Sequence, residues 1–235
     1  MIQLPIKGTG EVYTVDPTKI IALGLNYADH IRESASVKVK GFDNELPTEP
    51  ILFPKTPNVL IGDGGAIILP EIVTGYAFEN ERTDYEAELA FIVSDQCRNV
   101  RAEEAYDHIL GFTCMNDVSQ RNIQHNDKSG WFRGKSFDTF GPIGPILVRR
   151  EDLGDPQDLD IECRLNGKIV QKSNTRHMIF PIPEILAYVS RNFTLFPGDI
   201  ILTGTPSGVG PIHDGDTVEV EIEGIGVLSN GVRRA

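Results

Sequence analysis

The sequence predicts an α+β fold rich in β-strand, and three observations carry that prediction. Short β-branched runs punctuated by Gly, Pro, Asn and Asp recur along the chain. Helical periodicity is confined to a few segments. The elements also fail to alternate strand with helix, as a doubly wound sheet requires. In order, strands are expected at 11–15, 20–25, 86–93, 110–115, 144–148, 160–165, 200–203 and 218–222. Asn166-Gly167, between C-R-L and K-I-V, marks the clearest hairpin, because both residues tolerate positive φ. Helices are expected at 27–34 behind an Asn26 cap, at 102–108, and at 182–192 behind Pro-x-Pro-Glu. The stretches 35–50 and 120–134 have weak periodicity and read as loops, either lids over a site or surface excursions.

A length of 235 residues fits one domain, at most with a short appendage. The hydrophobic fraction of 40% excludes a disordered or collagen-like chain. A net charge of −12 argues against a nucleic-acid partner, which needs a surplus of Lys and Arg on one face. Cys97, Cys114 and Cys163 are far apart and form no C-x-x-C pair, so buried free thiols in a reducing compartment are expected. The first residues lack an apolar signal core, and nowhere do about 18 apolar residues run together. A cytoplasmic protein without a membrane partner is expected.

Chemistry concentrates in five segments. In Asp84-Tyr85-Glu86-Ala87-Glu88, an extended strand puts Glu86 and Glu88 on one face, leading into the apolar run Leu-Ala-Phe-Ile-Val. Two carboxylates entering a buried strand call for a cation. Asp117 ends another apolar run, where taken alone it reads rather as a turn or helix-cap residue, but three carboxylates together suit Mg²⁺ or Mn²⁺ better than zinc. His30 and Glu33, three apart on a helix, form a pair suited to general-base work, although an isolated pair of this kind is more often a surface ion pair. Lys135 lies in an apolar, Gly-bounded segment where it can offset developing negative charge or else stay a solvated amine whose stem packs on an aromatic ring. The Gly-rich run 203–210 lacks a P-loop Lys and dinucleotide spacing, so it is either a plain tight loop or one whose N–H groups and Thr205 hydroxyl cradle a carboxylate rather than a nucleotide.

In identity and order these segments resemble the fumarylacetoacetate hydrolase family. The resemblance runs from residue 20 to residue 210 through L-N-Y-A-D-H-x-x-E, F-x-K, D-Y-E-A-E-L, N-D-V-S-x-R-x-x-Q, G-K-S-F-D-T-F-G-P and T-G-T-P-x-G-V-G. It implies a mixed, barrel-like β-roll over 19–235, with 1–18 as a short β extension, and a homodimer. It implies Glu86, Glu88 and Asp117 as ligands of Mg²⁺, with Mn²⁺ or Ca²⁺ as substitutes. His30 and Glu33 become the water-activating dyad, and Lys135 an enolate or oxyanion stabiliser. Arg121 and Gln124 would meet the distal part of a small 2-oxo acid, and Thr205 its carboxylate. Such a site lowers the cost of negative charge on a keto oxygen. The His30–Glu33 pair makes hydrolysis of an acylpyruvate the first expectation; oxaloacetate decarboxylation and hydroxymuconate-type isomerisation are the alternatives. One departure from the family pattern is the stretch 71–83, which is longer than usual.

Overall fold

A computed structural model describes residues 1–33, 46–76, 78–126, 128 and 131–235, residues 32 and 33 by backbone alone. Most of the loop expected at 35–50 therefore lies outside the described residues. In chain order the elements are β1 (Ile2–Pro5), β2 (Val12–Val15), β3 (Ile20–Gly24), α1 (Ala28–Glu33), β4 (Ile51–Lys55), β5 (Leu60–Ile61), β6 (Ala66–Leu69), β7 (Thr83–Tyr85), β8 (Ala87–Val93) and β9 (Ile109–Asn116). They continue with β10 (Ser119–Gln120), α2 (Arg121–Asn126), α3 (Trp131–Lys135), β11 (Gly141–Arg149), β12 (Asp160–Leu165), β13 (Lys168–Asn174), α4 (Ile182–Asn192), β14 (Ile200–Leu202), β15 (Gly210–Pro211), β16 (Thr217–Ile222) and β17 (Gly226–Arg234).

Two sheets dominate, a seven-stranded one ordered β4-β3-β14-β8-β9-β11-β5 and a five-stranded one ordered β13-β12-β16-β17-β6. Parallel pairs β3–β14, β5–β11 and β6–β17 sit among antiparallel neighbours, which makes the sheets mixed. The fold is a strand-dominated α+β roll with a curled half-barrel sheet, as expected. Every residue of β8 is buried, and β12 and β16 pack against it, which explains its continuous apolar run. The Asn166-Gly167 turn joins β12 to β13 with φ of 52° and 76°, as the hairpin signal requires. On α4, Ile182, Ile185, Leu186 and Val189 supply the buried stripe at helical spacing.

Buried polar anchors fix the strand ends. Asp199, just before β14, is fully buried and accepts from Thr18 N–H (3.1 Å), Thr18 Oγ1 (2.7 Å), Lys19 N–H (3.0 Å) and Phe196 N–H (2.8 Å), and it pairs with the Lys19 ammonium. Asp199→Ala strands these donors, so it should cost about 3–5 kcal/mol, or on the order of 10 °C in Tm, read by thermal denaturation.

Several expectations are corrected. The segment 120–134 is not a loop, since it carries α2 and α3. The face that α2 buries holds Arg121 and Gln124 beside Ile123, so no apolar period announces the helix. Asn26 spends its side chain across the chain rather than at a helix start: Nδ2 donates to Thr203 O (2.8 Å) and Phe180 O (3.2 Å), and Oδ1 accepts Phe180 N–H (2.8 Å). Residues Ala102–His108 form a 3-10 helix that buries Ala105 alone. Glu86 lies in the break between β7 and β8, where its N–H is taken by Asn116 Oδ1 and its carbonyl accepts Asp117 N–H, both at 2.9 Å. Strands β5, β10 and β15 went unpredicted because two residues carry no alternation, and β4 because Pro54 interrupts it.

Candidate metal centre and substrate pocket

Four strand ends converge at one edge of the seven-stranded sheet. β3 leads into α1, β9 into Asp117, β14 into Thr203-Gly204-Thr205, and antiparallel β8 begins there with Ala87-Glu88. Glu86, Glu88 and Asp117 meet at this edge, all buried, with one oxygen of each within 4.8 Å of the others. Three hard oxygen donors and no His or Cys in the group suit Mg²⁺ or Mn²⁺.

The charges around these acids are unevenly matched. Asp117 is held by Lys55 and Lys135, each at 2.6 Å, and Glu86 by Arg121 and Lys135, also at 2.6 Å. Glu88 has no salt bridge among the described residues; Gly204 N–H donates to its Oε2 at 2.7 Å. Burial opposes ionisation of Glu86, but Lys135, Arg121 and His30 outweigh it and hold the carboxyl below the usual range. At Glu88, burial and then the charges of Asp117 and Glu86 hold the carboxyl well above that range. A buried acid without a cation of its own, beside two others, is what a divalent ion relieves, so the donor set fits one.

Lys135, at the end of α3, is 2% exposed and has Nζ 4.9 Å from the Phe53 ring centre as well as its two ion pairs. Burial opposes its charge, but Asp117 and Glu86 prevail and raise its pKa. In metal-free protein Lys135→Met leaves Glu86 and Asp117 each short of a cation, and the expected loss is about 3–5 kcal/mol. Thermal melts with chelator and then with Mn²⁺ check this, since the ion should restore part of the loss.

Beside the acids lies a pocket of about 20 Å³, room for roughly one water. His30, Glu86, Glu88, Arg121, Gln124, Lys135 and Thr205 line it, with Leu23, Gly24, Leu25, Phe53 and Trp131 as its other walls. The structure thus gathers every residue singled out from sequence except Asp117, which backs the pocket through Lys135, and Glu33, whose side chain lies outside the described residues. Helix α1 turns His30 inward at 5% exposure. Arg121 is largely committed: Nε donates to Asp84 (2.7 Å), one terminal nitrogen to Gln124 Oε1 (2.9 Å) and the other to Glu86 (2.6 Å). With its oxygen taken, Gln124 keeps its amide nitrogen as a donor. The Gly204 backbone has φ of 93°, and a Cβ there would meet Asn26 Cβ at 2.7 Å, so only glycine lets this loop lie against Asn26 and reach Glu88.

Sequence reasoning missed Lys55, whose ammonium also reaches Val118 O (3.5 Å) and the Lys135 carbonyl. The signal was a lysine closing the apolar strand β4, within F-x-K. Asp84 and Gln171 were missed as well, and Asn26 was read only as a helix cap, because buried polar residues that hold other residues in place leave no pattern of their own.

The structure is a mixed β-roll with three buried acids that could hold a divalent ion beside a pocket, and comparison with known proteins gives it a family. The fumarylacetoacetate (FAA) hydrolase C-terminal family matches residues 19–233, and the chain belongs to that family. It is 41% identical over 243 residues to a mitochondrial oxaloacetate tautomerase of Bos taurus, covering 98% of this chain and 72% of the relative. The crystal structure of 5-carboxymethyl-2-hydroxymuconate delta-isomerase from Mycobacterium smegmatis superposes with a TM-score of 0.81 at 38% identity, over 97% of this chain and 86% of that one. Fumarylpyruvate hydrolase from Pseudomonas aeruginosa, in complex with Mn²⁺ and pyruvate, superposes with a TM-score of 0.85 at 29% identity, over 100% and 96%. Among the described residues, no helix is long and apolar enough to cross a membrane.

Proposed function

We propose that the protein is a divalent-metal-dependent enzyme that acts on a small 2-oxo acid, hydrolysing a C–C bond of an acylpyruvate-type substrate. The observation that carries this reading is the grouping of three buried acids within 4.8 Å of one another, two of which, Glu86 and Glu88, line a pocket whose other polar side chains are Arg121, Gln124, Lys135, Thr205 and His30. Glu86, Glu88 and Asp117 would hold Mg²⁺ or Mn²⁺. When bound, such an ion supplies a Lewis acid that lowers the cost of negative charge on a keto oxygen. Lys135 adds a fixed positive charge on the same side. The pocket, about 20 Å³ in this structure, has to widen to admit such an acid; in that reading Thr205 receives the carboxylate, and Gln124 offers its amide N–H to the distal group, with Arg121 orienting Gln124. His30, near enough to Glu86 for their charges to interact, takes the proton from water. Support also comes from the likeness to fumarylpyruvate hydrolase in complex with Mn²⁺ and pyruvate.

A second reading, keto–enol tautomerisation or isomerisation of the same class of acid, is favoured by 41% identity to an oxaloacetate tautomerase. There His30 passes a proton between substrate positions and no water is cleaved. Product analysis over acetylpyruvate, fumarylpyruvate, oxaloacetate and a hydroxymuconate-type diacid, with Mn²⁺ and with chelator, tests both. Metal-dependent release of pyruvate with a carboxylic acid is expected. Enol–keto conversion without bond cleavage would select the second reading, and turnover indifferent to chelator would contradict both.

A further inference from the structure

Gln171, 1% exposed on β13, joins three parts of the site. Its Oε1 accepts the N–H of Ala87 (3.0 Å), the residue between Glu86 and Glu88. Its Nε2 donates to Pro206 O (2.8 Å) and to Thr205 Oγ1 (2.9 Å). The orientation of this amide is settled by its partners: a backbone N–H only donates and the Pro206 carbonyl only accepts, so the oxygen faces β8 and the nitrogen faces the loop. The loop can lie this close because Gly208, with φ of 95°, rests on the Val170 carbonyl where a side chain would collide.

A consequence follows for Thr205. Because its oxygen accepts from Gln171, its own proton points elsewhere. Thr205 is 3% exposed, lines the pocket, and has Gln171 as its hydrogen-bond partner among the described residues. Left to rotate, a hydroxyl presents either a proton or lone pairs. Near Glu86 and Glu88, lone pairs would add to the repulsion an entering anion meets, whereas a proton offsets it.

We infer that Gln171 is a positioning residue that sets the Thr205 hydroxyl as a donor into the pocket, where it takes a carboxylate oxygen of the substrate. This inference rests on the reading of the pocket as a 2-oxo acid site.

Calorimetric titration of Mn²⁺, and then of oxalate at saturating Mn²⁺, into wild type, Thr205→Val, Gln171→Leu and the double variant tests it. Thr205→Val should weaken oxalate about tenfold, the worth of one hydrogen bond to a charged group. Gln171→Leu should weaken it by a comparable factor with Mn²⁺ affinity unchanged, and the double variant should bind oxalate no more weakly than Thr205→Val. Additive losses in the double variant, or a Mn²⁺ affinity that falls along with that for oxalate, would mean Gln171 acts only through the fold and would overturn the inference. Normal oxalate binding by Thr205→Val overturns the inference alone, whereas wild type that takes Mn²⁺ but no oxalate overturns the functional reading with it. If Gln171→Leu fails to fold, neutron diffraction of the deuterated wild type decides: a deuteron on Thr205 Oγ1 directed into the pocket supports the assignment, and one directed at Gln171 overturns it.

Discussion

Glu88→Gln is expected to remove metal-dependent turnover while raising the melting temperature of the metal-free protein. Glu88 is 1% exposed, stands beside two other acids, and has no salt bridge among the described residues. Gln keeps an oxygen for the Gly204 N–H and discards a buried charge, which should stabilise the metal-free fold by about 1–3 kcal/mol. For a chain of this size that is roughly 3–10 °C. The sign with pH follows from the raised carboxyl: the folded protein holds this proton more tightly than the unfolded chain does, so its contribution to stability falls as pH rises above the usual carboxylate range. The gap between variant and wild type should therefore widen from pH 5 to pH 8 in chelator. With Mn²⁺ the order reverses, because only the wild type keeps all three ligands. The loss of Mn²⁺ affinity should exceed the roughly 10- to 100-fold that outer partners of a metal site carry. Differential scanning calorimetry with and without Mn²⁺ reads both effects, and a metal-free Glu88→Gln protein that melts below wild type would contradict the strained-acid account.

His30→Ala is expected to lower acylpyruvate hydrolysis by about 10²- to 10⁴-fold, the scale for loss of a general base. Decarboxylation of oxaloacetate, if the wild type performs it, needs no activated water and should fall less. In the hydrolase reading His30 acts from α1, while Lys135 ends α3, Glu88 lies on β8, and Glu86 and Asp117 sit just before β8 and just after β9, so the variant leaves the Lys135, Arg121 and Lys55 ion pairs to the acids in place. Parallel rate assays on the two substrates check this. Equal losses in both reactions would assign His30 to a proton step common to them, as the tautomerase reading requires.

The site was more legible than the scaffold that holds it. Glu86 and Glu88 stand out by leading into a buried strand, Lys135 and Thr205 by their Gly-bounded segments, whereas Asp117 gained weight only beside the other two acids and Arg121 and Gln124 only through the family resemblance. The residues that position them were hidden because their partners are distant in sequence. Lys55 meets Asp117 across 62 positions, and Gln171 meets Ala87 across 84. No local period encodes such pairs. The fold shows the same division: β8 and α4 carry their own patterns, whereas α2 buries polar groups whose partners are Asp84 and Glu86, and its helical character emerges only with them in place.

The most direct test of the metal-centred account is Mn²⁺ titration followed by electron paramagnetic resonance, with oxalate added at the end point. One Mn²⁺ per chain is expected, with the bound-ion spectrum changing when oxalate is added and both signals absent from Glu88→Gln. Wild type that binds no Mn²⁺, or a bound-ion spectrum that Glu88→Gln shares, would contradict the assignment of Glu86, Glu88 and Asp117 as the centre of this site.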